Sequence, residues 1–495
     1  MSRVQHMFSQ RRQRFAAAYL TFMVGISTVF GTVIADAAAP FAAFAQSGTP
    51  GVVRNSSAPE SVWTVGHGEY CQQSTAAPGI TEEDAIAVDI VNLRSSRSEG
   101  WLPTGTVFGP VQPSGAFEFW GANGSSVYRV KSTPTSLELT PVDARDTRMR
   151  SPSGYWAMDE DGNVYVPDLR TQEIVKLRSA EPFNPDTAVE LVTRAQLPAD
   201  LFAEGDFIRG IKMLHAGPIL VTLSNEQVLV LDRSLAMIGR YALAEGKIDN
   251  NPCVDEQDNI FVTSGEALYK LRWTGEDLRQ IWRVDIDGSG STPTLIGAPN
   301  DPDRLVAITD RSDPMNLVLL WRDDTIPADW PGLSGYDRRV AASLPVDFGV
   351  DGQTAQPTEN SLLVSGYDIM LSAWTGLLPR TQRRQDTGIA KVAWNPATDR
   401  LEAVWTNPAI WAPNSMQAMS SASNRAYMVG VEGRGRNREY GLHIIDWLTG
   451  ESLAFVPIGP YRDVRYNAYG SGLQIGPDGE VVIPGPLAVI RIRRG

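Results

Sequence analysis

The chain repeats one local pattern. The run Val254 to Val262 is followed by a short turn at Ser264-Gly265 and then Ala267 to Leu271. The same order recurs at Met158 to Val166 with Asp168 and Glu173 to Leu177, and at Ile475 to Ile483 with Leu487 to Ile492. Each unit reads as a strand, an Asp-Gly or Asp-Asn hairpin turn, a β-branched strand, a second turn and a third strand. Looser copies begin near Pro113, Arg209, Thr292, Gln356 and Asn414. A unit this small cannot bury its own apolar face, and starts about 40 to 60 residues apart suit four-stranded propeller blades. The pattern predicts an all-β chain forming a single β-propeller of about eight blades, or seven if one weak copy is an insertion. The last unit lacks a fourth strand before Gly495, and residues near Val88 to Val107 are expected to supply it and close the ring. Beyond residue 45 no stretch sustains a 3.6-residue apolar period; the strongest helical candidate, Glu82 to Arg94, is short and weak.

Residues 1–45 read as a signal peptide. Arg3, Arg11, Arg12 and Arg14 form a basic start, an apolar stretch runs from Phe15 to about Ile34, and Ala43-Phe44-Ala45 supplies a cleavage signal before Gln46. An uncleaved anchor is the alternative, since roughly 20 apolar residues span a bilayer. Cleavage leaves a non-repeated segment, 46–105, ahead of the propeller at 106–495, with no stable membrane insertion and a periplasmic or secreted location. The chain carries a formal net charge of −13. That acidity argues against nucleic acid or an anionic membrane as the main partner, because both would repel it.

Only two cysteines occur, Cys71 and Cys253. In an oxidising compartment they are candidates for a disulfide tying the N-terminal segment to the middle of the fold; two separate buried thiols are the alternative.

The units resemble quinoprotein-like propeller repeats. Asn251-Pro252, Thr292-Pro293-Thr294 and Gln356-Pro357-Thr358 open units, and Ile445-Asp446-Trp447-Leu448-Thr449-Gly450 gives the closing half. Weaker closing copies are Leu271 to Gly275 with Trp282, and Trp394 to Thr398 with Trp405. The resemblance covers about residues 106 to 495. It implies that these Asp, Thr, Gly and Trp residues tie neighbouring blades together. Family members include quinone-dependent alcohol dehydrogenases and outer-membrane assembly scaffolds. The chain departs from both, because its cysteines are far apart in sequence and the expected mature N-terminus is Gln46 rather than cysteine.

Propeller geometry places the loops leading into each inner strand, and the loops joining second and third strands, at one end of the central channel. The first set carries Arg150, Arg209, Asp249, Asn250, Asn251, Thr292, Gln356 and Asn414, which are the candidate substrate-binding residues. The second set carries Asp168, Asp310 to Asp313, Tyr367 and Arg434. Asp310, Asp313 and Tyr367 are the catalytic candidates, since carboxylates suit both proton transfer and hard cations. Arg434, with Arg436 and Arg438, offers bidentate binding to a carboxylate or phosphate. For each, a solvated or capped turn is the competing reading. His215 and His443 read as structural, whereas His67, near Cys71, is a candidate to fold over the channel. The cofactor is left open: a divalent cation such as calcium is compatible, a quinone less so. The expected function is an exported enzyme acting on a small polar substrate at the channel mouth, by redox or by lyase or hydrolase chemistry. The alternative is a non-catalytic periplasmic scaffold or binding module, whose partner would be a periplasmic protein.

Overall fold

The Asp-x-x-x-Asn turns show why the repeat folds as it does. In the first, the Asp159 carboxylate accepts from the backbone N–H groups of Asp161 (3.1 Å) and Asn163 (2.8 Å), from the Asn163 amide and from the Tyr165 hydroxyl. In the second, Asp255 accepts from the backbone of Gln257 and Asn259 and from the Asn259 amide. Each Asp thus closes the hairpin of its own blade, since its side chain satisfies the turn's buried donors. Arg233 adds an ion pair to Asp159 at 2.8 Å.

The computed structural model describes residues 53–59, 69–93, 106–122, 126–142, 149, 152, 154–350, 357–374, 376, 388–468, 472–485 and 487–495. It is an all-β propeller of eight blades. Blades 1 to 7 follow chain order, with inner strands Val107–Phe108, Ala157–Met158, Ile208–Met213, Cys253–Val254, Thr294–Ile296, Leu363–Ser365 and Ala418–Ser420. Blade 8 combines Gln474–Ile475, Val481–Pro484 and Ala488–Arg494 with Ile86–Asn92. The last pairing is antiparallel, from Ile86 opposite Arg494 to Asn92 opposite Ala488. The Glu82 to Arg94 stretch is therefore strand over most of its length, and Ile86 and Val88 pack against the apolar cluster between blades 7 and 8.

The closing motif of the repeat fastens one blade to the next. Asp446 accepts from the Leu448 and Thr449 backbone, turning the chain so that Gly450 takes φ +75°. The Trp405 ring of blade 6 lies against that glycine, where an added Cβ would come within 2.5 Å of it. Trp405 Nε1 donates to Trp447 O at 3.1 Å, and Trp394 Nε1 donates to Asp303 of blade 5 at 2.7 Å.

The segment before the propeller is woven into it. Asn55 Nδ2 donates to Met213 O and Ser57 Oγ to His215 O, both in blade 3. Tyr70 donates to Glu256 of blade 4, and Gln72 Nε2 to Leu295 O of blade 5. Val364 N of blade 6 donates to Gln72 O, and Met419 N of blade 7 to Gln73 O. Ser74–Thr75 pairs in parallel with the inner strand of blade 7, and Ile80 N reaches Gly479 O of blade 8. Residues 69–80 therefore run as a strap along the inner edges of blades 4 to 8. Its partners include the first hairpin turns, so the strap lies toward the end of the channel opposite the lead-in loops.

Glu480, in the first hairpin of blade 8, is buried and its carboxyl accepts from Asp478 N. Burial pushes its pKa up to about 7. A raised carboxyl pKa means that the fold favours the neutral acid, so stability is lost as pH rises through about 7. Glu480→Gln removes that ionisation. Denaturant titration should show the variant stabilised by at most ~3 kcal/mol at pH 8.5, with the gain vanishing by pH 4. An equal difference at both pH values would contradict this reading.

Candidate functional site

Four charged side chains from four blades converge at the lead-in end of the channel. Arg311, in the loop between the second and third strands of blade 5, lies 3.0 Å from Asp249 and 3.8 Å from Glu359. Asp249 leads into blade 4 and Glu359 into blade 6. Arg209, on the inner strand of blade 3, donates to Ile248 O beside Asp249, and its charge also acts on Glu359. The Glu359 carboxylate stands where a Cβ on Gly290 would meet it at 2.7 Å.

Glu359 has half of its side-chain surface open to solvent, yet protein surrounds it closely. Crowding is the largest influence on its pKa and raises it; Arg311 pulls it back, Asp249 pushes it up and Arg209 pulls it down. The carboxyl therefore sits above the ordinary glutamate range, a shift that suits a group exchanging a proton with a bound molecule.

Beneath this group the rim is braced by Asn250. Its Oδ1 accepts from Thr292 Oγ1 at 2.8 Å, Tyr155 Oη at 3.0 Å and Asn251 N at 2.8 Å, while its Nδ2 donates to Gly290 O at 2.5 Å. Asn250 and Thr292 are thus committed to joining the loops of blades 2, 4 and 5. Asn251 differs: its Oδ1 is buried against Gly210 with no donor among the described residues. An unsatisfied buried acceptor costs about 1–3 kcal/mol, which favours a water or ligand donor there.

The structure places two of the sequence candidates, Asp310 and Tyr367, in other roles. Asp310 is buried, and both its oxygens close its own turn, accepting from Asn316 N at 2.7 Å, Asn316 Nδ2 at 2.8 Å and Ser312 N and Oγ. It has a turn to hold. Asp313 is exposed in the same loop, ahead of Pro314. Tyr367 belongs to the hairpin between the first and second strands of blade 6, at the opposite end of the channel, where its hydroxyl donates to Asp303 O at 3.1 Å. The second-to-third connection of that blade instead lies between Ser372 and Ile389.

Asn414 is buried ahead of the inner strand of blade 7. Arg434 is exposed at the start of the Gly435–Asn437 turn, while Arg438 stacks on Trp411 and Tyr461. His443 is buried beside Ser452, and burial lowers its pKa to about 4, as suits a packed neutral ring. Arg150, Gln356, His67 and the signal segment 1–45 lie outside the described residues. Among the described residues no three His, Cys, Asp or Glu side chains converge as a metal site requires. The calcium expectation therefore has no ligand set at Asp310.

Cys71 and Cys253, the candidate disulfide pair, meet as two thiols rather than as a bond. Both are fully buried, their thiols are in hydrogen-bond contact, and Lys212 Nζ lies 3.4 Å from Cys71 Sγ. Glu359, Tyr155 and Lys212 are the residues that sequence reasoning missed. Glu359 lies only three positions beyond Gln356, but nothing local marks it, because its partners come from other blades.

The fold and this mouth define an eight-bladed propeller with a cluster of charged side chains at one end of its channel. No family model matches the chain. An uncharacterized protein of Archaeoglobus fulgidus is 27% identical over 459 residues, covering 85% of each chain. Among solved structures, the quinohemoprotein alcohol dehydrogenase of Comamonas testosteroni aligns with a TM-score of 0.53 and 13% identity, over 92% of this chain and 84% of its own. BamB of Moraxella catarrhalis aligns with a TM-score of 0.49 and 11% identity, over 82% of this chain and 98% of its own. At these identities the likeness concerns the propeller fold, and function rests on the site.

Proposed function

We propose that the protein is an exported propeller enzyme that binds a small polar substrate over the Asp249–Arg311–Glu359–Arg209 group, with Glu359 moving the proton. The observation that carries this reading is the Glu359 carboxyl, half open to solvent yet held above its ordinary pKa between Arg311 and Asp249. Arg209 and Arg311 supply donors for a carboxylate or hydroxyl of the substrate. Asn251 Oδ1 supplies a buried acceptor, and the Asn250 brace fixes the loops that carry these groups. The arrangement suits proton abstraction or delivery in lyase or hydrolase chemistry. A scaffold role, the other reading of the sequence, gives no reason for four charged groups from four blades to converge at one end of the channel.

A thermal-shift panel of carboxylates, polyols and sugar phosphates tests the binding half of the proposal. A ligand present at about 100 times its Kd adds ~2.7 kcal/mol of stability. At least one compound class should raise the unfolding midpoint of the wild type and lose that effect in the Arg209→Ala, Arg311→Ala double variant. A compound that stabilises both proteins equally binds elsewhere and argues against the site.

A further inference from the structure

At one point the strap brings two buried thiols together. Cys71 sits on the short Glu69–Cys71 turn and Cys253 opens the inner strand of blade 4. The two thiols touch, Cys71 Sγ also faces Pro252 O at 4.0 Å, and the Lys212 ammonium of blade 3 lies 3.4 Å from Cys71 Sγ. Both sulfurs belong to one apolar cluster with Tyr70, Phe261 and Leu295. Burial and the neighbouring Cys71 thiol hold the docked Cys253 thiol well above its ordinary pKa, so the thiolate that attacks a disulfide forms only when the pair is open to solvent.

We propose that Cys71 and Cys253 form a thiol–disulfide site that locks the strap across the far end of the channel. The co-reactant is a small-molecule disulfide. The Cys71 thiolate attacks one of its sulfurs, forming a mixed disulfide and releasing one thiol. The Cys253 thiolate then displaces the second thiol and forms the Cys71–Cys253 bond. The protein loses two protons and two electrons, and the oxidant is reduced to two thiols. Because the docked pair is fully buried, the exchange takes place while the strap is loose, and docking then protects the bond. In the reduced protein the strap is held by contacts such as Val364 N to Gln72 O and Met419 N to Gln73 O. The amides of Val364 and Met419 therefore report whether it is locked.

The test uses the full chain refolded with oxidised glutathione, then alkylated after unfolding without reductant. The expected result is no alkylation and one cross-linked peptide joining Cys71 to Cys253. Reduction of the wild type with dithiothreitol should speed hydrogen exchange at Val364 and Met419 at least tenfold, a readout that needs no variant to fold. Two alkylated thiols after oxidative refolding would overturn the proposal. A cross-link whose reduction leaves both amides unchanged would overturn the lock.

Discussion

Asp89→Ala is expected to cost about 3–5 kcal/mol of stability, although Asp89 lies on the outer strand of its blade. Its carboxylate accepts from Arg491 and from Arg493 Nε at 2.9 Å. Arg491 is 2% exposed and also donates to Ser132 and Thr133 of blade 1. Removing the carboxylate leaves a buried guanidinium with neutral acceptors only, and that unpaired charge dominates the loss. Replacing the pair with apolar residues, Asp89→Ala with Arg491→Met, should recover most of it. Burial alone would raise the Asp89 carboxyl, but the hydrogen bonds and charges of Arg493 and Arg491 outweigh it and hold it below the usual range. The stabilisation is therefore present above the unfolded aspartate pKa and lost as pH falls through the lower folded value. Urea titrations should show wild type and variant far apart at pH 7 and closer at strongly acid pH. A loss below about 1 kcal/mol at pH 7 would mean that the pair behaves as an ordinary surface bridge.

Glu359→Gln is expected to lower turnover by about 10²-fold or more while leaving the fold intact, because the side chain is half open and keeps its shape. Neighbouring charges set the pH at which the residue works. Asp249 pushes its pKa up, so Asp249→Asn should move the corresponding limb of the pH–rate profile to lower pH. Arg311 pulls it down, so Arg311→Met should move the limb to higher pH. Both variants shifting the limb in the same direction would place the titrating group elsewhere.

The blades were legible because their signals are local. Asp159 with Asn163, and Asp255 with Asn259, close their hairpins within four residues, and the Asp446 to Gly450 turn is equally short. Such spacings survive in a linear reading. The charged mouth was legible only as a set of loops. Arg209, Asp249, Arg311 and Glu359 span 150 positions, and their contacts are set by how the blades pack in a ring. Asp310 stood out as an acid in a polar loop, but the same loop needed an acceptor for the Asn316 and Ser312 backbone. Tyr367 was misassigned because Gly366-Tyr367, a two-residue hairpin, looked like a second turn when the first strand of that blade is only three residues long. The strap was hidden for another reason: it contributes backbone carbonyls to the inner edges of several blades, and backbone pairing leaves little mark on sequence.

The central claim is that the channel mouth performs chemistry through Glu359. Wild type and Glu359→Gln should be incubated side by side with an extract of polar small metabolites, and the extract followed by mass spectrometry. The account predicts one compound, or one narrow class, consumed by the wild type and consumed at least about 10²-fold more slowly by the variant. Equal consumption by the two proteins, or none by either, would contradict it.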